Sequence, residues 1–594
     1  GSVKNITLDE KSSQKTMSGR LTISMAPTEA FRTDLTYQYF WSDTTPHIAA
    51  AGPGTAPYPA PAGIPGLDNN LGGSIDPSLR SGPPLTLKDR TGVAAASPRF
   101  TNETHLVTLN TEVDVADNLV WSIDAGYQNT ASYAERPLDF SNAVPGYGNV
   151  QIVGAGPAVG GVETWTVDTR LTSAGNAFFD WSIGGFYSHF GGGSDKPLLV
   201  TQSSLILIGI PLAPGVGLPF PPETGLPLDI SVEVSNNIRE TKAIFGSTRF
   251  NFTDRLSLEA GLRYSAYHNT NTTAITACTP TLGGCSLDGF TTAADNKYDA
   301  LTGGANLIYE FSPDLTGYVA YGRAYRAGVT ASGYTVPVSL DLVVTDPEKS
   351  DSVEAGLKAS LFDRRLAINL SAYYQKFDGY IDYMPGLIVR DLTMSCGSEL
   401  CALSTSTNGD AISKGVELQI FGRPTNNWDL GFNASYVDAH YDDAVMPCNA
   451  VDANGDFFVP PGQEVSICTR NDRISQVPKF SASFNTEFRF PIGKVEPFVR
   501  GLVSYRPGFY SEFDDYDYKD ITNVSLYAGV RIPDTGLEIS AFVKNLLNQA
   551  RATRTFYGEG QAGTTDPNVV FRSGYNLFTI PPPREFGLTA RFSW

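Results

Sequence analysis

The sequence predicts an all-β fold, a large antiparallel transmembrane β-barrel of about 20–22 strands with long loops at one end and short turns at the other. Three observations predict it. Long segments alternate strictly between apolar and polar residues. The connections between them alternate between short and long. The 594 residues carry only 18% charge beside 28 Tyr and 33 Phe, yet no stretch approaches the roughly 20 apolar residues of a membrane helix.

The alternation is clearest at Leu256, Leu258, Ala260, Leu262 and Tyr264, set against Arg255, Ser257, Glu259, Gly261 and Arg263. It recurs at Leu119, Trp121, Ile123, Ala125 and Tyr127 against Ser122, Asp124 and Gln128, and again at Leu366, Ile368, Leu370, Ala372 and Tyr374 against Asn369, Ser371 and Gln375. Successive side chains of a strand point to opposite faces, so each segment has one apolar and one polar face. Such segments run for about 12–20 residues, against 5 or 6 in globular sheets. A tilted strand crossing a bilayer needs about 9–11. About nineteen such strands can be traced from Lys15 to Trp594, with a further candidate at Val3–Leu8.

Short polar turns fall at Pro27-Thr28-Glu29, Ala116-Asp117-Asn118, Ala174-Gly175-Asn176, Thr253-Asp254, Ser312-Pro313-Asp314, Asp363-Arg364, Pro424-Thr425-Asn426-Asn427, Pro491-Ile492-Gly493 and Pro533-Asp534-Thr535. Long loops are expected over 44–96, 136–159, 192–229, 273–291, 333–347, 387–410, 445–476 and 556–580. This layout is that of a membrane barrel. A propeller would repeat a motif every 40 to 50 residues or so, and none is found. One continuous sheet makes one domain over 1–594. A barrel this wide cannot be filled by its own side chains, so its lumen is a channel or holds a plug. The opening Gly1-Ser2 is read as a processing or cloning remnant, with the true N-terminus elsewhere.

The six cysteines form three local pairs in loop-like stretches: Cys278 with Cys285, Cys396 with Cys401, and Cys448 with Cys468. Local disulfides are the simplest pairing and imply an oxidising compartment. Zinc is disfavoured, because CxxC spacing and neighbouring His are missing. The net charge of −19 argues against nucleic acid.

The last strand sets Phe586, Leu588, Ala590, Phe592 and Trp594 on one face and Glu585, Thr589, Arg591 and Ser593 on the other. Phe586, Phe592 and the terminal Trp594 resemble the C-terminal signal that outer-membrane proteins present to the barrel-assembly machinery. Four further segments are similar to TonB-dependent receptors. Tyr321 to Gly328 resembles their "Y-x-x-x-Y-R-x-G" strand end, and Pro347 to Lys358 their "PE-x-S-x-x-x-E-x-G-x-K" segment. Lys414 to Leu418 resembles "x-G-x-E-x", and Val543 to Asn548 resembles "V-x-N-L-x-N/D". Singly these are weak; their order over residues 230–594 makes them specific together.

The resemblance implies a 22-stranded barrel in the outer membrane of a Gram-negative bacterium, with a plug inside it. It implies no enzyme and no cofactor, but import of a scarce solute (siderophore, vitamin, glycan or other nutrient) by energy-coupled rearrangement of the plug. The implied partners are outer-membrane lipid, the TonB–ExbB–ExbD complex acting through the plug, and the assembly machinery. The sequence departs from the pattern in having no recognisable plug or N-terminal energising box, so the plug is expected in a missing region or on a separate chain. A passive diffusion porin and a surface barrel holding a partner protein are the alternatives.

Other motifs carry less. Gly558 to Gly563 fits GxGxxG, but no helix is foreseen after it, and a dinucleotide site needs one. Asp452, Asn454 and Asp456 resemble the opening of a calcium loop, yet Glu464 falls one place late for the closing ligand. Asp514, Asp515 and Asp517 stand in the densest acidic run, a cation site or a hydrated loop tip. The five histidines are far apart, and no catalytic arrangement follows from spacing. The stretch Leu198–Leu228, with Leu205, Ile208, Leu212 and Phe220, is nearly free of charge. A water-facing loop is not expected to be so apolar. It is read as a surface for an apolar ligand or a partner such as a lipoprotein, or as a cap packing over the barrel mouth.

Overall fold

The computed structural model describes residues 2–54, 82–94, 97–136, 155–173, 178–192, 199–206, 227–279, 284–285, 291–331, 338–392, 399–474, 477–511, 516–561 and 572–593. Nineteen long strands build the wall: β1 (Ser13–Thr28), β2 (Phe31–Thr45), β3 (Arg99–Ala116), β4 (Leu119–Arg136), β5 (Ala155–Ser173), β6 (Phe179–Gly191), β7 (Pro227–Asn251), β8 (Leu256–Thr279), β9 (Thr291–Ser312) and β10 (Leu315–Arg326). They continue as β11 (Glu348–Leu361), β12 (Leu366–Arg390), β13 (Leu400–Thr425), β14 (Trp428–Tyr441), β15 (Phe480–Arg489), β16 (Glu496–Arg506), β17 (Ile521–Ile532), β18 (Leu537–Lys544) and β19 (Glu585–Phe592).

Each strand pairs antiparallel with the next, and the sheet curls into a barrel. One closed circuit of ladders is present, and it is local: the extra strand Leu199–Ile206 pairs with both β7 and β5, spanning β6. Among the described residues β1 is bonded only to β2 and β19 only to β18, so a seam separates the first and last strands.

The alternation read from the sequence maps onto the two faces. Along one row, Ile244 stands opposite Tyr264 and Tyr264 opposite Leu301. Leu262 is 64% exposed and Ile244 68%. In a barrel that crosses an outer membrane these apolar rows face lipid. The alternate residues face the lumen, where Arg249 pairs with Glu259 at 3.5 Å. The short turns are local solutions to reversing the chain. Phe362, Asp363 and Arg364 all take positive φ between β11 and β12, and Gly536 (φ 66°) closes the turn after Pro533–Thr535. Asp and Gly tolerate that region at low cost. The turn at 174–177 lies outside the described residues.

Three expectations are corrected. Val3–Leu8 is not a wall strand: Lys4–Asn5 pairs with Glu10–Lys11 and, in parallel, with Thr91–Gly92, in a small sheet apart from the barrel. Residues 387–410 are not all loop, since β12 continues to Arg390 and β13 starts at Leu400. Part of the apolar stretch is strand as well, Leu199–Ile206 against the start of β7, because Val, Thr and Ile favour extended backbone.

Beyond the wall, the loops at the long-loop end have small cores of their own. Leu342, Val343, Leu387, Val389, Leu403 and Val465 are buried together, and Val3, Ala49, Tyr518, Phe578 and Ile580 make a second cluster. His47 sits near the second, its side chain 2% exposed and its Nε2 3.8 Å from Glu10. Its backbone N–H donates to Ser12 Oγ (3.1 Å). Burial lowers the His47 pKa, and Glu10 opposes this only in part. The folded protein therefore binds this proton less readily than the unfolded chain. The contribution of neutral His47 is complete above the unfolded value of about 6.5 and is lost as pH falls below it. Hydrogen exchange at Lys4–Ser12, corrected for intrinsic rates, is expected to accelerate below that pH, and His47→Gln should flatten the dependence. Equal profiles for both proteins would dismiss the assignment.

Candidate functional site: the lumen wall and its outer rim

At the short-turn end an ionic ladder crosses six strands, β13 to β18. Register aligns Asp429, Glu487 and Arg500 in one row and Glu496, Arg531 and Glu538 in the next. Arg423 Nε lies 2.7 Å from Asp429 Oδ1, and Arg489 Nη1 lies 2.6 Å from Oδ2. Glu487 accepts from Arg500 Nε (2.8 Å) and from Arg531 Nη1 (2.8 Å). Arg531 also donates to Glu496 (3.2 Å) and Glu538 (2.8 Å), with its guanidinium 4.2 Å over the Phe498 ring. Charge-assisted, bidentate bonds of this kind hold neighbouring strands in register.

Higher on the wall, β13 to β16 form a recess of about 510 Å³. Its lining mixes small hydroxyls and amides, Gln419, Asn433, Ser435, Ser481, Ser483 and Ser504, with apolar surface from residues such as Leu418, Ala434, Tyr505 and Ile521. Ser435 and Ser481 share a hydrogen bond of 2.8 Å, and Asn433 donates to Ser483 (3.3 Å). Such a wall offers donors and acceptors to water or to a folded surface. Beside it, Tyr318 donates to Glu354, and the Tyr318 ring lies across Gly356. A Cβ there would come within 2.4 Å of the ring. Tyr373 covers Gly415 in the same way, 2.7 Å from Oη to such a Cβ. The Tyr318 ring leaves no room for a side chain at Gly356, and at Gly415 the Tyr436 carbonyl oxygen, 2.5 Å from such a Cβ, adds to the Tyr373 hydroxyl. On β8, Arg263 is stacked 4.7 Å over Phe186 and 5.7 Å from Phe245, with Nε donating to Ser265 (3.0 Å).

At the outer rim, Cys448 is bonded to Cys468 across the hairpin Ala444–Cys448/Ser466–Arg470. Register sets Cys278 opposite Cys285. Cys401 is disulfide-bonded, and Cys396 lies outside the described residues. Serine at Cys448 and Cys468 is expected to cost about 3 kcal/mol of loop stability, the entropy of a closure this long. Proteolysis of the variant should begin between the two positions, and an unchanged digestion pattern would count against this.

The calcium-like turn is closed on itself. Asp452 Oδ1 accepts from the backbone of Asn454 (2.8 Å) and Asp456 (3.0 Å). Those donors, Asn454 first, hold the Asp452 carboxyl below its ordinary pKa. Glu464 is turned elsewhere, accepting from Ser339 N (3.3 Å). No cluster of three or more metal-binding side chains occurs among the described residues. Asp517 is paired with Lys519 on a hairpin whose Tyr518 is buried against Phe509. Asp514 and Asp515 lie outside the described residues, as do Ile208, Leu212, Phe220 and Trp594. Leu205 lies in the extra strand, opposite Leu228. Phe586 and Phe592 project from the outer face of β19. Gly558 to Gln561 are strand, not the start of a helix. The ionic ladder and the serine recess were not foreseen. Their members are on different strands, and only the pairing register brings them together.

Residues 31–546 match the family model described as TonB dependent receptor-like, beta-barrel. The ferric yersiniabactin uptake receptor FyuA from Yersinia pestis has a similar structure, with a TM-score of 0.66 at 15% identity, covering 100% of this chain and 73% of that one. The siderophore receptor PiuA from Acinetobacter baumannii gives 0.62 at 16%, covering 98% and 74%. The copper transporter OprC gives 0.59 at 14%, covering 100% and 74%. At these identities the likeness is one of fold.

Proposed function

The chain belongs to the TonB-dependent receptor-like β-barrel family, and on that premise we propose that it is the wall and outer rim of an importer for scarce metal chelates of the siderophore class. Membership makes it an outer-membrane protein of the TonB-dependent kind. The family match over residues 31–546 carries the reading. The names of the similar structures, two of them siderophore-type uptake receptors, favour the chelate class. In this reading the disulfide-stapled loops capture the solute, and the lumen wall does no covalent chemistry. Its serine recess and ionic ladder line the passage and hydrogen-bond a plug that belongs outside these residues. The TonB–ExbB–ExbD complex pulls that plug from the periplasm.

The test is uptake of radiolabelled ferric siderophores by cells carrying the natural protein. Saturable uptake that falls to background with a protonophore is expected. Uptake that is linear in concentration and indifferent to the protonophore would replace this reading with the diffusion porin. Planar-bilayer conductance adds an independent arm. The 594-residue barrel should conduct strongly and steadily, because a lumen this wide is open unless filled.

A further inference from the structure

The outward face of β11 to β13 carries a diagonal line of lysines. Lys349 stands opposite Asp378 and Lys376 opposite Asp351, so the two lysines are diagonal neighbours. Lys376 stands opposite Ile412 and Lys414 opposite Tyr374, which makes those two lysines diagonal neighbours as well. All three are exposed. Toward the short-turn end the same face turns aromatic and apolar. Val353, Tyr374 and Val416 are 50%, 47% and 44% exposed, and Tyr321 and Tyr436 flank them. Tyrosines between an apolar band and a polar tier mark the membrane–water interface. The lysine line therefore lies at headgroup level, with its methylene stems over apolar surface and its ammonium groups in the polar layer.

The carboxylates that border this line are already taken. Arg323 donates to both oxygens of Asp351 (2.8 Å each). Lys376 lies 3.6 Å from Asp378, and Lys479 is paired with Asp438. Among the described residues neither Lys349 nor Lys414 joins an ion pair. They are two uncompensated cations on the lipid side of a chain whose net charge is −19. The outer face of β7 to β9 differs. There Lys297 lies 3.9 Å from Asp295, and Glu240 stands between His189 and His268.

We infer that this face binds a lipid of the outer leaflet whose headgroup carries phosphomonoesters, with the phosphates on Lys349 and Lys414 and the acyl chains along Val353, Tyr374 and Val416. Charge complementarity selects the phosphomonoester. Such a group carries about −1.5 to −2 charge at neutral pH, whereas a zwitterionic headgroup brings its own cation and leaves the lysines uncompensated. The spacing selects a headgroup with two of them. Two diagonal steps separate Lys349 from Lys414, about 14 Å, so a headgroup with a phosphate at either end meets both, with Lys376 between them. The inference rests on the outer-membrane setting and not on which solute the barrel carries, so it stands or falls separately from the proposed function.

Native mass spectrometry of the natural protein in detergent tests this with three probes: a bis-phosphorylated disaccharide lipid, the same lipid after phosphatase treatment, and phosphatidylethanolamine. The first should bind at least about tenfold more tightly than the other two, about 1.4 kcal/mol. Lys349→Gln combined with Lys414→Gln should lower its affinity about twentyfold, roughly fivefold for each lysine. Lys349→Arg combined with Lys414→Arg should retain it, and Lys297→Gln on the outer face of β9 should leave it unchanged. The comparison of probes needs no substitution, so it decides even where a variant fails to assemble. Equal affinity for the phosphorylated and dephosphorylated lipid would overturn the inference, as would a glutamine variant that binds like the unsubstituted protein. Displacement of the lipid by inorganic phosphate at equal concentration would overturn it in favour of a free-anion site.

Discussion

Arginine in place of Leu262 is expected to destabilise the barrel by about 2–4 kcal/mol, the cost of a guanidinium on the lipid face near mid-membrane. Leu262 projects outward with 64% of its surface exposed, and its row continues through Ile244 and Leu301. The partner experiment is Glu259→Arg on the lumen face of the same strand. Glu259 is half-exposed and pairs with Arg249 at 3.5 Å. Its replacement loses a water-accessible ion pair, about 0–1 kcal/mol. Urea unfolding in lipid vesicles measures both. Equal losses for the two variants would mean that the faces of β8 are assigned the wrong way round or that the strand does not cross lipid.

The second large effect is expected at Glu487→Leu. The Glu487 side chain is 13% exposed and takes hydrogen bonds from both Arg500 and Arg531. Removing it leaves two guanidiniums side by side with one shared counter-charge gone. Uncompensated buried charges cost about 3–5 kcal/mol. The lower end, about 3 kcal/mol, is expected here because Arg500 remains 38% exposed to lumen water. Glu487→Gln should recover part of the loss, and Glu487→Leu combined with Arg500→Leu more of it, since Arg531 keeps Glu496 and Glu538. If Glu487→Leu unfolds with the native midpoint and slope, the ladder contributes nothing to the wall.

The sequence displayed the fold where lipid and lumen impose opposite chemistry on alternate residues. From Leu256 to Tyr264 and from Leu366 to Tyr374 that contrast is complete, and both segments are wall strands. It faded where both faces meet water. On the outer face of β6 to β9, His189, Glu240, His268 and Lys297 stand opposite one another. They continue the outward row of Ile244 and Tyr264 with polar residues. The same loss of contrast hid the far ends of β12 and β13, so residues 387–410 resembled a loop. Local chemistry was legible: the Asp452 turn and the Cys448–Cys468 staple are set by neighbours in the chain. The ladder was not, because Asp429, Glu487 and Arg531 are aligned only by the register of three antiparallel pairings.

The length of β12 and β13 has a consequence for how a solute arrives. β13 has 26 residues, about 85 Å of extended chain. Tilted by about 40°, it rises about 65 Å, some 40 Å more than the apolar band of such a barrel. β7 and β8, with 25 and 24 residues, are nearly as tall, while β14, with 14 residues, ends far lower. The mouth is therefore a scoop with unequal sides. A particle diffusing above the cell meets the tall ladders well before it reaches the headgroups. The collision target is set by the height of that parapet more than by the width of the pore beneath it.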